Sequence, residues 1–158
     1  MSKIEKQRLF DKWTFTHTEN CVQLFDKHIE FNKSNAIQRI MVFANISENS
    51  IYVLIAKIQG IDIPIYVGKS KDPFARWKQH ILGIESGKAS YAKWRRLLLD
   101  DNDTFNFDVK LVVVPETKVL FPPILGFPVT IGAIEYQLVS LISDAYPDTL
   151  LNSEGNRR

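Results

Sequence analysis

The stretch IYVGKSKDPFARWKQH, residues 65–80, puts a phenol (Tyr66), an ammonium (Lys69), a guanidinium (Arg76) and an imidazole (His80) into one short run of chain. Together these groups suit anion binding and proton transfer. Arginine's planar fork can hold two phosphate oxygens, and an imidazole with an ordinary pKa of about 6.5 exchanges protons near neutrality. Three residues elsewhere extend the set. Tyr52 stands in a similar apolar run, and Asn152 lies in a turn-rich tail. Glu135 is set among Ile131, Ile134, Leu138, Val139 and Ile142. A carboxylate in such company needs a cation, because burying an unpaired charge is costly. A lysine, an arginine or a divalent metal ion would serve, and a salt bridge is the first expectation from the residues alone. Singly, each residue has a bland role too. Strand tyrosines usually pack, an asparagine in a tail can cap a turn, and His17 and His28 lack metal-ligand spacing, which leaves them structural or on the surface.

The elements that must position these groups can be read from periodicity. IYVLIAKI (51–58) and IPIYVG (63–68) have the apolar, β-branched character of strands, and the intervening QGID turns the chain into a hairpin. Pro64 cannot donate to a ladder, so it belongs at the start or on an edge of its strand. Asp72 and Pro73 are an N-cap acceptor and a first-turn proline, opening a helix that runs to about Gly83. Phe74, Trp77, Ile81 and Ile84 form its core stripe, and Arg76 and His80, four apart, share a different face. SYAKWRRLLL (90–99) reads as a further helix, with Tyr91, Trp94, Leu97 and Leu98 inward. FNFDVKLVVV (105–114) reads as a third strand, and residues 130–144 as a last helix. The proline-punctuated, apolar loop 115–128 either packs over the core or offers a contact surface, and packing is the expected outcome. In residues 3–46 the apolar positions fall at helical spacing, so an N-terminal helical extension is expected.

These readings give an α+β fold, with a small antiparallel three-stranded sheet flanked by helices. A chain of 158 residues suits one globular domain. It divides into a helical extension, residues 1–49, packed on a core at 50–158. With 45% apolar and 24% charged residues and no apolar run near the roughly 18 needed to cross a bilayer, no membrane insertion is expected. The N-terminus lacks the apolar stretch of a secretory signal, and Cys21 is the only cysteine, which excludes an intrachain disulfide and a cysteine-based metal site. A cytoplasmic location is expected, with Cys21 a small buried apolar group. Net charge is only +2, but residues 69–96 hold five lysines and three arginines against two carboxylates, a surplus of six that leaves −4 for the rest. A basic segment on a near-neutral chain points to an anionic partner such as nucleic acid. Lys69, Lys71, Lys78, Lys88, Lys93, Arg95 and Arg96 are the expected DNA contacts, although Lys-rich stretches are also common as solvated helix surface.

SIY at 50–52 and YVG at 66–68, followed by Lys69, Arg76 and His80, with Glu135 on a later helix and Asn152 beyond it, resemble the core of the GIY-YIG nuclease family. The resemblance spans residues 50–152. It departs from the family pattern at Ser50, where glycine is usual, in a slightly longer gap between the tyrosines, and in a long stretch between His80 and Glu135 that implies an inserted helix and loop. Ser50 matters little if the backbone there is extended.

The resemblance implies a metal-dependent endodeoxyribonuclease with Tyr52, Tyr66, Lys69, Arg76, His80, Glu135 and Asn152 at its site. Glu135 would hold one Mg²⁺, with other divalent ions such as Mn²⁺ as substitutes, and Arg76 would clamp a phosphate oxygen. Asn152 would orient Glu135 or a turn at the rim. The general base is Tyr52, if Lys69 and Arg76 favour its phenolate, or else His80. The lack of a second DNA-binding domain looks more like a compact restriction-type or phage-type enzyme than a homing or repair nuclease. A palindromic target would imply a homodimer, with the apolar loop or N-terminal helices as its interface. The alternative is a non-catalytic nucleic-acid-binding or regulatory module that keeps the fold.

Overall fold

The computed structural model describes residues 1–152 of the chain. The elements in chain order are α1 (Lys3–Thr16), β1 (Cys21–Phe25), α2 (Lys33–Ile40), β2 (Ser50–Ile58), β3 (Ile61–Ser70), α3 (Pro73–Ser86), α4 (Tyr91–Leu98), β4 (Val109–Pro115) and α5 (Ile131–Ala145). The four strands form one antiparallel sheet in the order β1-β4-β2-β3.

The sheet therefore has four strands, not the expected three. The additional one is β1, inside the N-terminal segment read as helical. Val22, Leu24, Phe25 and Ile29 have spacings that fit a helix, but a run of five residues is too short for periodicity to discriminate. Pairing with β4 settles it, with Cys21 opposite Val112 and Val22 opposite Leu111. Cys21 lies exposed on this outer strand, contrary to the buried thiol expected of it.

The hairpin β2–β3 turns through Gln59 and Gly60, both at positive φ, as a two-residue connection demands. Pro64 lies on β3, an edge strand, and the register slips between Leu54 and Ile55 opposite it. Residues 151–152 run along the outer side of that edge. The Leu151 N–H donates to the Ile65 carbonyl at 2.6 Å, and the Asn152 amide bonds both the Val67 N–H (3.1 Å) and the Val67 carbonyl (2.7 Å).

Alternation along the strands feeds two apolar layers. Tyr52, Leu54, Tyr66, Leu111 and Val113 face one layer, packed with Trp77, Ile81 and Ile84 of α3 and Trp94 and Leu98 of α4. Ile51, Val53, Val67, Val112 and Val114 face the other, packed with Phe10 and Trp13 of α1 and Ile134, Leu138 and Ile142 of α5. The loop after β4 is tied down in part. Trp13 Nε1–H donates to the Phe121 carbonyl at 2.8 Å, and buried His17 bridges the Trp13 carbonyl and the Leu120 N–H. Leu120, Leu125 and Phe127 stay exposed, so the loop both packs and presents apolar surface. No helix among the described residues is long and apolar enough to cross a membrane.

Candidate active site

Tyr52 and Gly68 are directly opposed in the β2–β3 register. Tyr66 is two residues before Gly68, so it shares that face of the sheet. A Cβ on Gly68 would lie 2.4 Å from the Tyr52 ring. The glycine thus leaves room for the Tyr52 ring to lie across β3 beside Tyr66, with the ring centroids 6.1 Å apart. The Tyr52 hydroxyl donates to the Lys69 carbonyl at 3.5 Å, a long bond.

Helix α3 closes over this pair. Asp72 accepts from the Ala75 N–H at 3.0 Å and Pro73 starts the first turn, as read from the sequence. Trp77, Ile81 and Ile84 are buried as expected, whereas Phe74 is only partly so. Arg76 is half-buried, with its guanidinium beside both tyrosine hydroxyls. His80, expected to share a face with Arg76 apart from the core stripe, is buried at 2% exposure. It stands within an aromatic wall, its centroid 5.3 Å from Tyr66, 4.7 Å from Trp77 and 5.0 Å from the stacked Trp94.

Burial sets the protonation states here. The pKa of Tyr52 is pushed well above the ordinary phenol value, chiefly by desolvation and then by Tyr66, and Arg76 offsets this only in part. Tyr66 moves in the same direction for the same leading reason. The expectation that nearby cations would favour a Tyr52 phenolate is corrected, because desolvation outweighs the guanidinium. His80 is driven the other way, down to about 3, by desolvation first and the Arg76 charge second. It is therefore a neutral imidazole near pH 7, without the near-neutral titration expected of it. Its Nδ1 lies 2.8 Å from the Tyr91 hydroxyl, and its Nε2 is buried with no partner among the described residues.

Lys69 points to the opposite face of β3, where helix α5 passes. Its ammonium is 3.9 Å from a Glu135 carboxylate oxygen and 3.5 Å from where a Cβ on Gly132 would lie. The Glu135 charge is felt at both Tyr52 and Tyr66. The two halves of the constellation thus meet around the end of β3. With Lys69 half-exposed, the ion pair is worth about 0–1 kcal/mol, so it can open to admit a ligand. Asn152 pins the backbone of Val67, between Tyr66 and Gly68.

No protein-family model, curated protein or solved structure matches the chain.

The donor set constrains any metal ion. Among the described residues no group of three or more His, Cys, Asp or Glu side chains is placed to hold one. Glu135 stands as a single, partly buried carboxylate. Mg²⁺ commonly binds one or two carboxylates, keeps several waters and takes its other ligands from substrate phosphate, so the site fits Mg²⁺ held in that way.

A cleft of about 260 Å³ opens beside Tyr66, Arg76 and His80, and Ser90, Tyr91 and Trp94 complete its walls with Leu151. Tyr91 was recognised from sequence as an inward residue of α4, but not as a neighbour of the site. A usable hint was Gly83, three residues after His80, which marks a close approach. A Cβ there would be 2.2 Å from the Tyr91 ring.

Of the basic residues expected to contact DNA, Lys69, Lys71, Lys78, Lys88, Lys93 and Arg96 are exposed. Arg95 is engaged within the protein. It donates to the Ile84 carbonyl at 2.7 Å and pairs with Asp103.

Proposed function

We propose that the protein is a metal-dependent endonuclease that hydrolyses DNA phosphodiester bonds. The observation that carries this reading is the convergence, at the end of one β-hairpin, of two phenols, a guanidinium and a neutral imidazole on one side with a lysine–glutamate pair on the other. Phosphodiester hydrolysis calls for such a set. Charge gathering on the phosphoryl oxygens must be neutralised, water must lose a proton, and the leaving oxygen must be stabilised.

Arg76, beside the phenols and bonded through Nη1 to Gln79 Oε1 at 3.0 Å, would take a phosphate oxygen with its remaining N–H groups, and Lys69 would supply a second positive charge. Tyr52 and Tyr66 remain protonated, so they donate hydrogen bonds to a phosphoryl oxygen or to water. His80 remains neutral and keeps a lone pair, which makes it the better proton acceptor at neutral pH. A bound phosphate would offset the Arg76 charge and raise the proton affinity of His80. Glu135 would hold Mg²⁺, which when bound supplies Lewis-acid stabilisation of the leaving oxygen. A pure binding module has less use for Glu135, since a carboxylate repels a phosphate unless a metal ion stands between them.

The test is incubation of plasmid and phage DNA with the wild type and with Glu135→Ala, in Mg²⁺ or EDTA. The expected result is wild-type cleavage that needs the metal. The variant should not cleave but should bind DNA at least as well. DNA binding without cleavage by the wild type would favour the binding module, and discrete fragments would favour a restriction-type enzyme over nonspecific nicking.

A further inference from the structure

We infer that Tyr91, on helix α4, is a positioning residue that selects the tautomer of His80: the Tyr91 hydroxyl oxygen accepts the Nδ1 proton and leaves the lone pair on Nε2. The heavy-atom separation of 2.8 Å is that of a well-formed hydrogen bond. The other ring nitrogen is buried and has no partner among the described residues. If Tyr91 instead donated to Nδ1, Nε2 would carry a buried N–H with no acceptor among the described residues. Orphaned buried N–H groups are rarer than under-satisfied acceptors, so the Nδ1–H form is favoured.

The packing around Tyr91 is built for this contact. The missing side chain at Gly83 lets the Tyr91 ring press against α3 one turn after His80. Trp94, from the same helix as Tyr91, stacks on the imidazole with an interplanar angle of 20°. Tyr91 and Trp94 thus hold both the proton and the plane of the ring. Helix α4, which the resemblance treats as an insertion, gains a role: it prepares His80 to accept a proton at Nε2. That catalytic consequence rests on the nuclease reading, whereas the tautomer itself does not.

Two measurements separate these. In ¹⁵N-labelled protein without DNA, long-range proton–nitrogen correlations should show the His80 proton on Nδ1, and Tyr91→Phe should shift it wholly or partly to Nε2. In cleavage assays Tyr91→Phe should lower kcat about 10²-fold, the low end of what positioned proton transfer supplies, with KM for DNA unchanged. A wild-type proton on Nε2, or a tautomer unmoved by Tyr91→Phe, overturns the inference. A rise in KM with kcat preserved also overturns it, by making Tyr91 a binding residue. Absence of cleavage by the wild type defeats the nuclease reading instead, and the spectra still decide the tautomer.

Discussion

Acid should destabilise this protein through His80 in particular. The residue is 2% exposed and its pKa is lowered to about 3, so the folded state resists a proton that the unfolded chain takes up near its ordinary value of about 6.5. Between those two values the unfolded state binds more protons, and stability falls as pH falls. The contribution is intact above the unfolded value. It is lost at about 1.4 kcal/mol per pH unit on the way down, so that about 2.5 kcal/mol disappears between about pH 7 and pH 4.5. Contact with aromatic faces works the other way, since a cation over such a ring gains roughly 0.5–2 kcal/mol. Here desolvation and the Arg76 charge prevail. For a chain of this size the loss corresponds to about 5–10 °C in Tm. The assay is urea denaturation of the wild type and His80→Asn across that range. Every other ionisable group is common to both proteins, so the difference in slope isolates His80. The variant should lose stability less steeply. Parallel profiles would refute the argument that His80 is buried as a neutral group.

Three further substitutions test the architecture of the site. Gly68→Ala would place a methyl group against the Tyr52 ring, and urea denaturation should register a loss of about 1–3 kcal/mol from overpacking, along with displaced tyrosine ring resonances. Asn152→Ala removes the partners of the Val67 N–H and carbonyl, and chemical denaturation should show a cost of about 1–3 kcal/mol for each group left buried and unsatisfied. Arg76→Lys keeps the charge but loses the planar fork, and in a plasmid-cleavage assay kcat should fall about 10²-fold, with DNA affinity much less affected.

The hairpin β2–β3, the cap of α3 and the extent of α5 were legible because their signals are local. Apolar runs of strand length bounded by a turn, Asp72 before Pro73, and apolar spacing around Glu135 each reflect contacts within a few residues. Strand β1 was not legible. Its five residues fit two periods, and pairing with β4, some ninety residues later, decided between them. The exposure of Cys21 follows from the same edge position.

For the candidate site, the sequence by itself determined which groups are present and their order along the chain: Tyr52, Tyr66, Lys69, Arg76, His80, Glu135 and Asn152. Only the tertiary structure decided their chemical state. Whether a phenol ionises or an imidazole stays neutral depends on the water removed and the charges brought near by distant elements. Here Trp94 and Tyr91 from α4 surround His80, and Glu135 from α5 reaches the end of β3. The strand pattern placed Tyr66 and Lys69 on opposite faces, and chain folding around the sheet edge brought those faces to one site.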